Sequence, residues 1–391
     1  STCETRWMDS VYLPILAEDS EDDDFERVKA SAHFAGELNA LWNDGSSSIV
    51  VNKQYTGSST LEWENGGDPF PALTLDAESE GGVNNNTTLT LSHTVAVKPH
   101  RVLVVMVAST IVPSGITYAG TAMTKLEDAS GGGVSSIWYL ASPATGANNV
   151  ILSCGSSSDH AVQISSYYGA NPADVFNTVA ETTTAGGANH TTSLSVTSEA
   201  GDIVVDIVVS DDGATLDYGS SGQTALMNRT QDDIQGGSSY EAATGTTTTM
   251  SCAITGSAGN SAHVGVAVKN PNLKIGLDMI VHKANMVALA IADSTHMIAT
   301  STDGATWTSP TTPITGNLMD GNVTAQEELD GGLLASIGGE LVAAVWHESN
   351  GTITFFSSSD GGTIFADEGI DIGSGNGPQG LLVYPDIDGT D

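Results

Sequence analysis

The feature that most constrains this chain is an internal duplication across residues 87–269. RVLVVMVAS (101–109) matches DIVVDIVVS (202–210), and ITYAG (116–120) matches LDYGS (216–220). PATGANNVILSC (143–154) matches AATGTTTTMSC (242–252), and HAVQI (160–164) matches the stretch around HVGVAV (263–268). The offset stays between 98 and 102 residues throughout, and four matches in order at a near-constant offset are hard to obtain by chance. Each copy reads as four or five short apolar strands with turns at Gly, Asn or Asp. Two such halves are expected to pack face to face, because neither is expected to bury an apolar face alone. The predicted fold is all-β: a duplicated, jelly-roll-like β-sandwich with Greek-key connections. NPADVFNTVAETTTAGGANHTT (171–192) joins the halves.

The flanks differ from this core. Residues 1–86 read as an N-terminal arm that anchors the chain in an assembly. Its acidic run EDSEDDDFER (18–27) suits a helix N-terminus, with Asp19 or Ser20 as cap. Phe25, Val28, Ala32, Ala35, Leu38 and Trp42 then recur at helical spacing, and Asn43-Asp44-Gly45 ends the run. Residues 87–271 form the duplicated sandwich. From 272 the pattern changes again. LDMIVHK (277–283) and MVALAIA (286–292) lead into HMIATSTDGATWTSP (296–310), and a related strand and turn, TITFFSSSDGGTIF (352–365), follows. This spacing predicts the first blades of a β-propeller over 272–391.

Charge bounds the partners. The chain carries 47 Asp and Glu against 11 Lys and Arg, a net charge of −36. Such a chain repels nucleic acid and anionic membranes, and in dilute buffer it repels itself. At molar salt the Debye length falls to roughly 3 Å, so acids spread over the whole chain point to a high-salt habitat. An ordinary acidic secreted protein is the plainer alternative. No apolar run is long enough to span a bilayer. Cys3, Cys154 and Cys252 form neither a disulfide framework nor a zinc spacing. Cys154 and Cys252 occupy matched positions of the duplication on core-facing sides of strands, as buried free thiols or as a bridge between the halves. Six Asn-x-Ser/Thr sequons, at Asn85, Asn86, Asn189, Asn228, Asn322 and Asn350, are glycosylation candidates on an extracellular surface.

Two turns carry the most specific motif. Ser301-Thr302-Asp303-Gly304-Ala305-Thr306-Trp307 resembles the Asp-box of sialidase-type propellers. A second copy, Ser358-Ser359-Asp360-Gly361-Gly362-Thr363, has Ile364 and Phe365 where Trp is expected. The resemblance implies a folding device, in which the Asp accepts backbone hydrogen bonds and the Trp packs between blades. It does not imply sialidase chemistry. That family holds its substrate carboxylate with three arginines, and this chain has only Arg6, Arg27, Arg101 and Arg229, none of them in the propeller part. Residues 88–109, with ITYAGTAMTKLE and SIWYLASPATGANNVILSC, also resemble a β-sandwich module that recurs in viral structural proteins and secreted surface proteins. Sandwich, propeller and acidity together resemble a surface protein of a halophilic tailed virus, a capsid turret or tail fibre.

Other signals are weaker. GSGNGPQG (373–380) contains a glycine fingerprint, but Pro378 interrupts it and no βαβ unit surrounds it. Asp386-Ile387-Asp388-Gly389-Thr390-Asp391 matches either the start of a calcium loop or a blade-connecting turn. No other cofactor is implied. The histidines show no metal spacing and the serines no nucleophile elbow. His160 and His263, near matched positions of the duplication, read as strand-end packing. The expected function is therefore a non-enzymatic virion surface protein that assembles with copies of itself. Its N-terminal arm would meet other virion proteins, and its propeller would meet a host glycan or surface protein. A cellular adhesin or surface-layer-associated protein is the first alternative, and a secreted glycan-active enzyme the second. Because a closed propeller needs at least four blades and 272–391 supply about two, the natural product is expected to continue past 391.

Overall fold

The computed structural model describes residues 28–34, 37–43, 50–55, 63–65 and 69–373, apart from short stretches at 172–173, 188, 212, 219–221, 257–258, 272, 293–294, 310–331, 338–339, 348–351 and 360–365. No helix occurs among the described residues, and every described strand pair is antiparallel. The chain divides into two compact units, residues 1–71 with 271–391 and residues 72–270.

The N-terminal segment corrects the expected helix. It forms a four-stranded meander: β1 (Val28–Phe34), β2 (Glu37–Asn43), β3 (Val50–Tyr55) and β4 (Trp63–Asn65). The apolar residues that recur at helical spacing have a second period. Val28, Ala30, Ala32 and Phe34, then Leu38, Ala40 and Trp42, also fall on alternate positions. Phe34 pairs with Glu37, so β1 and β2 pair antiparallel up to their adjoining ends. The acidic run 18–27 lies outside the described residues.

The second unit contains both copies of the duplication. The first copy comprises β5 (Thr74–Val95), β6 (Val102–Ser109), β7 (Gly115–Tyr118), β8 (Thr121–Ala122), β9 (Thr124–Ser130), β10 (Val134–Ala141) and β11 (Gly146–Tyr168). The strand β5 runs unbroken through residue 86, so the unit begins earlier than the boundary read from sequence. The long strands β5 and β11 pair along their lengths, with register shifts between Ser153 and Ser158. Those shifts fold the sheet over. The first part of β11 pairs with β7 and the later part with β6.

In the second copy the same path is cut at the corners. It comprises β12 (Ala180–Thr184), β13 (Asn189–Thr197), β14 (Ile203–Asp211), β15 (Ala214–Asp217), β16 (Thr224–Gln231), β17 (Ile234–Ala242), β18 (Thr247–Gly256) and β19 (Ser261–Val268). They form a five-stranded sheet, β12-β19-β14-β17-β16, and a three-stranded sheet, β13-β18-β15. The register proves the repeat. Val102 faces Tyr167 and Ile203 faces Val268, each partner displaced by the same 101 positions.

Packing also departs from expectation. Each copy buries a core of its own. In the first, Leu103, Val105, Val107, Ile116, Tyr118, Val150, Leu152 and Ile164 cluster between the two arms of the folded sheet. In the second, Leu194, Val196, Val204 and Met250 form one cluster and Val208, Leu216, Tyr218, Cys252 and Ile254 another. The copies then pack on each other through the opposite faces of the same strands, Val102, Val104, Met106 and Ala108 against Val205, Ile207, Val209, Val264 and Val266. That is why β6 and β19 are buried along their whole length and β14 up to its last residue, Asp211. A strand buried on both sides reads as an unbroken apolar run, as VLVVMVA does.

In the other unit, β20 (Leu273–His282), β21 (Asn285–Ala292) and β22 (Thr295–Ser301) form one meander. A second contains β23 (Gly332–Ile337), β24 (Glu340–His347), β25 (Thr352–Ser358) and β26 (Ala366–Gly373). Val287, Leu289 and Ile298 pack against Leu334, Leu341, Ala343 and Phe356, joining the two sheets.

Candidate functional site

A polar network at the centre of the second copy is the place where chemistry-bearing groups converge most closely. His263 on β19 puts Nε2 2.8 Å from Asp206 Oδ2 on β14, and its Nδ1 lies 3.3 Å from Thr192 Oγ1 on β13. Asp206 Oδ1 accepts the Ser239 amide at 2.8 Å and the Ser239 hydroxyl at 2.6 Å. Gln223 donates Nε2 to Asp206 Oδ2 at 3.3 Å and accepts the Ser251 amide at 2.7 Å. Hydroxyl, imidazole and carboxylate thus stand in the order of a nucleophile, base and orienting acid. Yet Thr192, Asp206, Ser239 and His263 are all 0% exposed. They are closed off from solvent, and their hydrogen bonds link the two sheets of the copy.

The duplication explains where this network sits. By register, Asp206, Ser239 and His263 occupy the places that Val105, Trp138 and Val162 hold in the first copy. An apolar trio in the first copy stands where the second has a polar one, and Gln223 donates to its carboxylate. Sequence reading missed it. The signal was present as a lone acid inside IVVDIVV and a lone histidine inside SAHVGVAV. His160 is not the counterpart of His263. It matches Ser261 in register, and its two ring nitrogens lie 2.8 Å from Ser109 Oγ and 2.9 Å from Ser158 Oγ. Burial lowers its pKa.

A third buried histidine ties the bent strand β5 to β11. His93 Nδ1 is 3.0 Å from Ser79 Oγ and Nε2 is 3.0 Å from Ser166 Oγ, whose hydroxyl donates to Asp76 Oδ2 at 3.0 Å. Burial pulls the His93 pKa down to about 4, only partly countered by the Asp76 charge.

Cys154 and Cys252 are free thiols. They are not at matched positions. Cys252 stands beside Tyr218 as Val150 stands opposite Tyr118, and each cysteine borders a different core. Cys252 is 0% exposed, and burial with the Asp206 charge pushes its thiol up to about 12. Cys154 is half-buried next to the corner of β11.

The first Ser-x-Asp-Gly turn is well defined. Asp303 Oδ1 accepts the Ala305 amide at 2.9 Å and the Thr306 amide at 2.6 Å, and Ser301 Oγ accepts the Gly304 amide at 2.9 Å. Gly304 has φ of +76°, which favours glycine. Thr300 and Thr308 exchange backbone hydrogen bonds across the turn, and Trp307 is buried behind it. The Thr306 amide and then the Ala305 amide hold the Asp303 pKa down to about 2. In the second turn Ser358 is buried, while Asp360 and Gly361 lie outside the described residues. Lys283, in the β20–β21 turn, donates Nζ to the Ser359 carbonyl at 2.6 Å.

Of the sequons, Asn85, Asn86, Asn189 and Asn228 are exposed. Asn228 is engaged: its Nδ2 donates to the Leu216 carbonyl at 3.0 Å and its Oδ1 accepts from Gln235 at 2.5 Å. Asn322, Asn350, Arg6, Arg27, Cys3 and the 386–391 segment lie outside the described residues. Among the described residues no cluster of three His, Cys, Asp or Glu could hold a metal ion.

No family model matches this chain, and no curated protein does. Among solved structures, a phage phi92 endosialidase aligns with it at 10% identity and a TM-score of 0.20, over 87% of this chain and 46% of the endosialidase. The chain thus spans less than half the length of that enzyme. At this TM-score the alignment establishes no common fold and transfers no activity.

Proposed function

We propose that this chain is a non-enzymatic structural protein on the surface of a virion from a high-salt habitat, a turret, spike or fibre built from copies of itself. The observation that carries this reading is the sealed network around Asp206 and His263. Groups able to do acid–base chemistry are spent on fastening sheets together, and those around His93 and His160 on tying strands within one sheet. The net charge of −36 supports the high-salt setting. In this reading the Asp303 turn is an Asp-box acting as a folding device between propeller blades. Loops of that unit would meet a host glycan or surface protein, since connecting segments on a rigid scaffold are where recognition residues gather. Purified virions imaged with a labelled antibody should carry the protein on their surface. Label confined to cell envelopes would sink the viral reading and favour an adhesin.

A further inference from the structure

Strands at sheet edges expose unpaired N–H and C=O groups, and proteins blunt them by shortness, charge or bulges. Six of the seven edge strands in residues 72–270 carry such a device. The strands β8 and β15 have two and four residues. The five-residue β12 carries Glu181. The strand β9 carries Lys125, Glu127 and Asp128, and β16 combines Arg229 with a register shift between Ala225 and Met227. In β5, Asp76, Glu78 and Glu80 charge the first part, Asn85 has φ of +49°, and Asn86 Oδ1 accepts the Thr88 amide.

The exception is β13. It is nine residues long, NHTTSLSVT, without acid, Lys, Arg or Pro, and its register to β18 is unbroken. Among the described residues it is hydrogen-bonded on one side only, by β18. Its outward side chains Thr191, Ser193 and Ser195 are exposed, and the next strand continues the uncharged surface with Thr249 and Thr255.

We propose that β13 pairs edge to edge with β13 of a second copy, extending β13-β18-β15 into a six-stranded sheet across a two-fold axis. A two-fold contact is self-complementary. Antiparallel pairing centred on Ser193 sets that residue opposite itself and Thr191 opposite Ser195. The charge pattern selects a second copy as the occupant. Two chains of net charge −36 repel wherever acids face each other, and β13 brings none to the contact; β16, the other long edge without an acid, is broken by its register shift and carries Arg229. Main-chain pairing supplies affinity at an edge without an apolar patch.

This inference rests on the reading that the chain assembles with copies of itself. The test is the mass of the full chain in molar salt, by light scattering on a sizing column across a hundredfold concentration range, for wild type, Ser193→Lys, Ser195→Lys and Thr249→Lys. The three substituted side chains point outward, and circular dichroism should show four equally folded proteins. Wild type and Thr249→Lys should associate alike, and both β13 variants should need at least tenfold higher concentration. A wild type that stays monomeric overturns the assembly reading and this inference with it. Association unchanged in both β13 variants overturns the edge pairing alone. Equal loss in Thr249→Lys assigns the contact to the sheet face and also overturns it.

Discussion

Asp206 shows how a single position can change the character of a core. In the first copy the equivalent site is Val105, packed by Trp138; in the second, a carboxylate is held by Ser239, Gln223 and His263. Removing one member of such a buried pair leaves the other without its partner. Asp206→Val should therefore cost about 3–5 kcal/mol in urea unfolding, whereas the double change Asp206→Val with His263→Val should recover most of it. His93 gives a pH dependence whose sign is fixed. Its pKa is about 4 in the folded protein against 6.5 ordinarily, so the unfolded chain takes up a proton first. The contribution is complete above pH 6.5 and is lost as pH falls from 6.5 toward 4, on the order of 2 kcal/mol. His93→Gln, which keeps hydrogen bonds to Ser79 and Ser166 without titrating, should flatten that slope measured between pH 7 and 4.5. The thiols should differ as well. A maleimide should label Cys154 in the native protein and Cys252 only after unfolding, read by peptide mass.

At the scale of elements, strand pairing outweighed helical spacing. The residues 28–42 satisfy a helical and a two-residue period alike, and the antiparallel pairing of β1 with β2 decides between them. The Asp303 turn was legible because its residue types have one purpose each. The carboxylate caps two amides, Ser301 caps a third, and Gly304 takes a positive φ. Asp303→Ala should cost about 1–2 kcal/mol, seen as earlier exchange of the Thr300 and Thr308 amides, with the amides of β6 and β14 unaffected. The folded-over sheet was not legible. It depends on the bulges between Ser153 and Ser158, and GSSS in the sequence carries no apolar signal for a corner.

For the whole molecule, net charge sets the conditions of stability. Raising sodium chloride from 0.1 to 1 M shortens the Debye length from about 10 to about 3 Å. Thermal unfolding should then shift upward by several degrees, and a midpoint that stays level would show that the acids do not act through self-repulsion. The two copies share one interface and keep separate cores, so the second unit should unfold in one cooperative step despite its duplicated origin.

The sequence alone determined the all-β class, the duplication with its offset, and the Ser301–Trp307 turn, because strand period, repeat spacing and turn residues are local properties of the chain. Only the tertiary structure decided that each copy encloses its own core, that β6 and β14 serve two cores at once, and that Cys154 and Cys252 are unmatched. These depend on which residues meet across sheets, and a bulge that moves the register by two positions leaves the sequence match intact while changing every partner. The Asp206 network belongs to the same class. Its members come from β13, β14, β17, β18 and β19 and from Gln223, and nothing in their sequence spacing places them within hydrogen-bonding distance.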